Sequence, residues 1–250
     1  MSDLSWPRRD ELTGRRVAAI ALATLALMLW GQHGSAPILG WLDPRYVGPG
    51  SDPSVRPSLI PGVPWDDELV SFVFGALVCV ALPAAAIKLW RRESLADYGL
   101  GLPPAGERRF AALAFCAIVV VFAVPFGLGA RTPAMVDLYP LYRGPLPTGE
   151  FIAYECAYLL FFVALDGVLR GILLFGLSPP GGALPALGIA VETMVQATWH
   201  LGKPPTEAWT SPIWGLVAGY VAYRARSVWP VLSAHWLLNV LIDLVALRAR

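Results

Sequence analysis

Asp166 and Arg170 stand one helical turn apart inside the apolar run ALDGVLRGILLFGL, residues 164–177. Glu155 lies 11 residues before Asp166, a spacing that returns to nearly the same helix face at about 100° per residue. Two further stripes follow: Glu192, Gln196 and His200 recur every four residues in a second apolar stretch, and SAHWLLNVLID sets His235, Asn239 and Asp243 at the same interval in a third. An ionisable side chain at bilayer depth costs roughly 2.5–3.5 kcal/mol on insertion scales, so each of these asks for a partner or a task. The inventory suits water chemistry. A neutral histidine deprotonates water, with a carboxylate sharing the work where geometry allows. A second histidine and an amide are donors for the oxyanion that forms when water attacks a peptide carbonyl. Arg170 would balance and orient the acid. The chemistry implied is hydrolysis within a membrane. No serine sits in a GxSxG elbow and no cysteine has a recognisable active-site setting, so covalent nucleophiles are weakly supported.

Each stripe also has a purely structural reading. Asp166 and Arg170 can neutralise one another within one helix and hold neighbouring helices together. Gln196 alone reads better as an interhelical hydrogen-bonding residue, worth about 0.6 kcal/mol on average in such settings. Either histidine taken singly can be a satisfied interior group, and His33, beside Gln32, reads as interfacial. Two histidines, an amide, an acid and an arginine taken together converge better on a buried site than on helix packing.

The elements that would position them are membrane helices. The 250 residues are 56% hydrophobic and 15% charged, with mean hydropathy +0.57, a composition outside the range of ordinary soluble domains. A helix crosses the hydrocarbon with about 20 apolar residues, and segments near 17–36, 67–90, 109–129, 150–177, 184–201, 210–223 and 228–247 approach that length. The expected fold is therefore all-α, a polytopic transmembrane bundle of about seven helices. The Pro- and Gly-rich stretches 37–66 and 130–149 cannot continue a helix and read as outer loops. With the N-terminus inside, inner loops and helix ends carry 11 Lys and Arg against 7 outside, so the positive-inside bias favours a cytoplasmic N-terminus. The first segment is long and lacks a clear cleavage site, so it reads as a retained helix rather than a signal peptide. Cys79, Cys116 and Cys156 all fall in apolar segments without CxxC spacing and read as packed thiols. No basic patch suggests nucleic acid, and the partners expected are the lipid bilayer and a membrane-embedded or membrane-proximal peptide.

At these residues the chain resembles the CPBP family, which comprises CAAX prenyl endopeptidases and bacteriocin-processing (Abi) proteins. LDGVLRG resembles the family's E-E-x-x-x-R motif, QATWH its F-x-x-x-H motif and HWLLN its H-x-x-x-N motif, in the family's order. SLADYGL, residues 94–100, is a weaker echo. The resemblance covers roughly residues 150–247, dividing the chain into N-terminal helices and long outer loops (1–149) and a CPBP-like helical core (150–250). It implies that His200 activates water, that His235 and Asn239 stabilise the oxyanion, and that Arg170 partners the acid. It also implies a bacterial inner-membrane setting and no required cofactor, with zinc on His200, His235 and Asp166 conceivable. Two departures stand out: Leu165 occupies the position of the family's first glutamate, with the shorter Asp166 at the second, and Gln196 replaces the phenylalanine. Asp166 or Glu192 would then have to supply the carboxylate; alternatively, catalysis has been lost. Segment ends add a tension, placing Asp166 and His235 nearer the inner side and His200 nearer the outer. Two rival classes follow: a non-catalytic CPBP relative serving as a binding, immunity or scaffold protein, and a proton-coupled transporter, against which stands the absence of two pseudo-symmetric halves.

Overall fold

The computed structural model describes residues 9–31, 34, 37–52, 54, 58–181 and 185–250, the side chains of 9–13 excepted. Gln32 and His33 lie outside the described residues. Every segment picked out by hydropathy is a helix. In chain order the helices are α1 (Arg9–Trp30), a short α2 (Pro37–Leu42), α3 (Asp66–Arg91), α4 (Ala105–Gly129), a short α5 (Pro133–Leu138), α6 (Thr148–Leu177), α7 (Pro185–Trp199), α8 (Pro205–Ala225) and α9 (Trp229–Ala249). Among the described residues there is no strand. Among the described residues four helices, α3, α4, α6 and α9, are long and apolar enough to cross a membrane, and the protein is an integral membrane protein built as a polytopic helical bundle.

Helix boundaries follow local chemistry. α1 stops at Trp30, short of residue 36, because Gly31 takes a left-handed φ of 80°, a conformation that only glycine enters without a steric penalty. α3 opens on Asp66, Asp67 and Glu68, whose negative charge complements the helix N-terminus. α8 begins at Pro205, five residues ahead of the hydropathy boundary, since a proline is tolerated in the first turn, where its missing N–H has no partner to lose.

The layers are set by burial. In α6, 83% of the apolar window is inside the protein, whereas in α4 the share is 11%. α6 is therefore the central post and α4 the outer stave, presenting Leu113, Val120, Val121, Val124 and Leu128 outward. α3 packs on α6, α4 on α9, and α7 on α8. Phe72 stacks on Tyr158 at 4.7 Å, joining α3 to the post, and Trp30 stacks on Trp199 at 5.5 Å, joining α1 to α7.

Midway along α6 the helix widens into a π-helical stretch, Gly167–Leu173. Such widenings are common at functional sites. Gly171 sits where an added Cβ would lie 3.3 Å from the Tyr98 carbonyl oxygen, so the backbone of the SLADYGL segment approaches the post closely there. Arg170 projects from this stretch.

Candidate active site

Arg170 is wholly buried and joins two helices. Its Nη1 is 3.0 Å from Asp166 Oδ1 one turn away on α6, and the same nitrogen donates to Gln196 Oε1 of α7 at 2.8 Å. Its Nε lies 3.3 Å from Glu192 Oε2, also on α7. Asp166 and Glu192, both fully buried, thus share one guanidinium, which only a planar, multi-donor cation serves well. The four-residue spacing of Glu192 and Gln196 turns both toward the post.

Asp166 then orients a histidine. Its Oδ2 accepts from Nδ1 of His235 at 2.9 Å, which leaves Nε2 as the ring's other nitrogen. The imidazole is held between Phe162 of α6 and Trp214 of α8, with ring centroids 4.7 and 4.6 Å away. One turn on, Asn239 is buried and its Nδ2 has no hydrogen-bond partner among the described residues.

Above this lower tier lies a second one. His200 Nδ1 is 2.7 Å from the Gln196 carbonyl oxygen and 3.2 Å from the Gln196 side-chain nitrogen. The shorter contact is the one that satisfies hydrogen-bond geometry best, so Nδ1 carries the proton and donates to the carbonyl. Nε2 of His200 faces Glu207 Oε1 of α8 at 3.3 Å. Glu207 also pairs with Lys203 and accepts from the hydroxyl of Tyr139 at 3.0 Å. Burial, with the Glu207 charge beside it, pushes the Tyr139 phenol well above its ordinary range, so it remains a donor.

The two tiers meet in one cavity of about 60 Å³, lined by His200, His235, Asn239, Gln196, Leu165 and Glu207 among others, with room for a few waters. The tension between inner and outer positions is resolved by reach rather than by tilt alone. Side chains of α6 lean toward its N-terminus, and the long Arg170 side chain carries the contact up to Gln196, from which His200 is one turn further. Two hollows adjoin the cavity. One, of about 860 Å³, shares Tyr139, Tyr158, Phe161 and Lys203 with it and includes Pro49, Asp137 and Arg143; the other, of about 670 Å³ and largely apolar, lies between α4 and α8 and shares Phe126, Glu207, Thr210 and Ile242.

Residues 150–241 match the family model described as type II CAAX prenyl endopeptidase, Rce1-like. Over this span, a little over a third of the chain, the protein is similar to the CPBP family. The matched span holds every candidate residue except Asp243. No curated protein and no solved structure gives a match. The similarity of this span is thus to CAAX-protease-type intramembrane peptidases.

The expected residues divide into groups. His200, His235, Asn239 and Gln196 line the cavity; Asp166, Arg170 and Glu192 form the buried network behind it, and none of these three reaches the cavity wall. Asp243 lies apart, with its carboxyl interacting with that of Glu155, both buried. The Glu155 backbone carbonyl accepts from Trp236 Nε1 of α9 at 2.9 Å, and Asp166 meets His235 of the same helix. A resident zinc is poorly served: among the described residues no three His, Cys, Asp or Glu side chains are grouped to hold a metal ion, and Asp166 is engaged by Arg170 and by His235 Nδ1. The residue that sequence reading missed is Glu207. It sits in HLGKPPTE, where the prolines signal a loop, and only its four-residue spacing from Lys203 and seven-residue spacing from His200 hinted at a shared face.

Proposed function

We propose that this protein is an intramembrane endopeptidase that hydrolyses a peptide bond in or near the bilayer by means of activated water. The observation that carries the reading is the single small cavity onto which His200, His235 and Asn239 converge from two helices, backed by a charge network that touches none of the reacting atoms. His200, with its proton held on Nδ1 by the Gln196 carbonyl, offers Nε2 to water. Asn239, with its unpartnered Nδ2, supplies a donor for the oxyanion, and His235, oriented by Asp166 and clamped between Phe162 and Trp214, supplies a second from Nε2 when both of its ring nitrogens carry a proton. Asp166 and Arg170 are positioning residues, and Glu192 and Gln196 join α7 to them.

The substrate is a membrane-embedded or membrane-proximal peptide. The apolar hollow between α4 and α8 gives a lipid-side approach to the cavity, and the more polar hollow with Arg143, Asp137 and Lys203 gives a water-side one. The setting we propose is a bacterial inner membrane with the N-terminus cytoplasmic, and with residues 150–250 as the working core surrounded by 1–149. Comparison of protein termini in host membranes carrying wild type, His200→Ala or Asp166→Asn at matched expression tests this. Termini that wild type generates and His200→Ala does not are the expected result. Identical termini in all three correctly inserted proteins would favour a non-catalytic binding relative, the reading to which Leu165 on the cavity wall otherwise points.

A further inference from the structure

Five carboxylates lie near the two histidines: Glu155, Asp166, Glu192, Glu207 and Asp243. Only Glu207 lines the cavity that holds both imidazoles. Asp166 and Glu192 sit behind it on Arg170, and Glu155 and Asp243 face one another elsewhere. We infer that Glu207, on α8, is the catalytic carboxylate that works with His200 on the attacking water, an inference that rests on the peptidase reading above.

The geometry for this is local. With the His200 proton held on Nδ1 by the Gln196 carbonyl, the ring presents a lone pair at Nε2, and the Glu207 Oε1 lone pairs lie 3.3 Å away. Oε1 already accepts from Tyr139 and Lys203, so the acceptor that calls for a hydrogen is His200 Nε2. A water in the cavity donating to Nε2 lies against the Glu207 carboxylate and turns its own oxygen lone pair outward. Tyr139 donates to the carboxylate from the loop after α5, and Lys203 balances its charge from one turn before, so the side chain is held in place with most of its surface buried. Leu165, the apolar residue on the α6 side, lines the same cavity. The wall that lacks an acid on α6 has one on α8.

The reaction balances with one water consumed. The water oxygen bonds to the scissile carbonyl carbon as its proton passes to Glu207, and the carbonyl electron pair moves to the oxygen held by His235 and Asn239. Collapse expels the amide nitrogen with the C–N bonding pair; that nitrogen takes the proton from Glu207, leaving a carboxylic acid and an amine.

A merely structural Glu207 would tie the start of α8 to Tyr139 and Lys203 and nothing more. The test separates the two using wild type, His200→Ala, Glu207→Gln, Glu207→Asp and the double variant Leu165→Glu/Glu207→Gln, each in host membranes, read as the rate at which wild-type-dependent protein termini form, with thermal unfolding in detergent alongside. Glu207→Gln is expected to slow formation by about 10²–10⁴-fold while unfolding near the wild-type temperature, and a glutamate restored at 165 is expected to recover at least about tenfold of that. Glu207→Asp keeps the charge for Lys203 and Tyr139 but withdraws the base by one methylene, and is expected to lose about a hundredfold. Should Glu207→Gln fail to fold, Glu207→Asp decides alone. Wild-type rates in folded Glu207→Gln or Glu207→Asp, with His200→Ala inactive, would overturn the inference and leave the peptidase reading intact. Termini identical in wild type and His200→Ala would overturn both.

Discussion

Replacing Arg170 with methionine removes the one cation among the described residues that contacts both Asp166 and Glu192. The three side chains are fully buried, with ion pairs of 3.0 and 3.3 Å and a 2.8 Å hydrogen bond to Gln196. Breaking a buried pair by deleting one partner costs about 3–5 kcal/mol, because the charge left behind is uncompensated. Glu192 loses its ion-pair partner while Asp166 keeps its contact with His235 Nδ1, so a loss in the same range is expected, and it corresponds to roughly a hundredfold to several thousandfold in the folding equilibrium constant at about 1.4 kcal/mol per factor of ten. Reversible unfolding of the purified protein in mixed micelles, followed by tryptophan fluorescence, measures it. Arg170→Lys is expected to recover only part, since an ammonium lacks the guanidinium fork that meets Asp166, Glu192 and Gln196 together. The triple variant Arg170→Met/Asp166→Asn/Glu192→Gln is expected to regain much of the loss, because it removes the stranded charges as well. Arg170→Met within about 1 kcal/mol of wild type, or a triple variant no better than the single, would refute the shared-guanidinium reasoning.

Asn239→Ala is expected to lower kcat by about 10²–10³ with little change in KM, as befits a donor used chiefly in the transition state; steady-state cleavage of a substrate peptide measures both. Gly188→Ala is expected to destabilise by about 1–3 kcal/mol, because its new Cβ would meet the Leu174 carbonyl oxygen at 2.7 Å where α7 crosses the end of α6, and chemical unfolding reads this directly. In a background with Cys79, Cys116 and Cys156 replaced by alanine, a single cysteine at Gly106 and one at Gly149, both exposed and with open space around them, are expected to be labelled by an impermeant maleimide from opposite sides of the membrane, Gly149→Cys from outside.

Much of the architecture was legible because bilayer helices leave so direct a mark: long apolar runs broken by Pro, Gly and charge. The polar stripes were legible for the same reason, since Gln196 or His235 stands out against leucine and valine. Their partners were harder to read. Spacing paired Asp166 with Arg170 within one helix, but nothing in sequence says that the same guanidinium also meets Glu192 and Gln196, which depends on how α7 packs against the π-helical stretch of α6. The height mismatch between His200 and His235 arose from counting residues from helix ends, a count that ignores the reach and lean of side chains. Glu207 was hidden for a different reason. It belongs to the first turn of α8, whose apolar run begins only later, so it read as loop.

The central claim is that water, activated at His200, cuts a peptide bond in the membrane. Host-membrane vesicles carrying wild type or His200→Ala, incubated in ¹⁸O-water and analysed by mass spectrometry of new C-termini, test it most directly. New carboxylates containing one ¹⁸O atom in the wild-type sample, absent from His200→Ala, are the result expected. The same termini in both samples, or wild-type-dependent termini with no ¹⁸O, would contradict it.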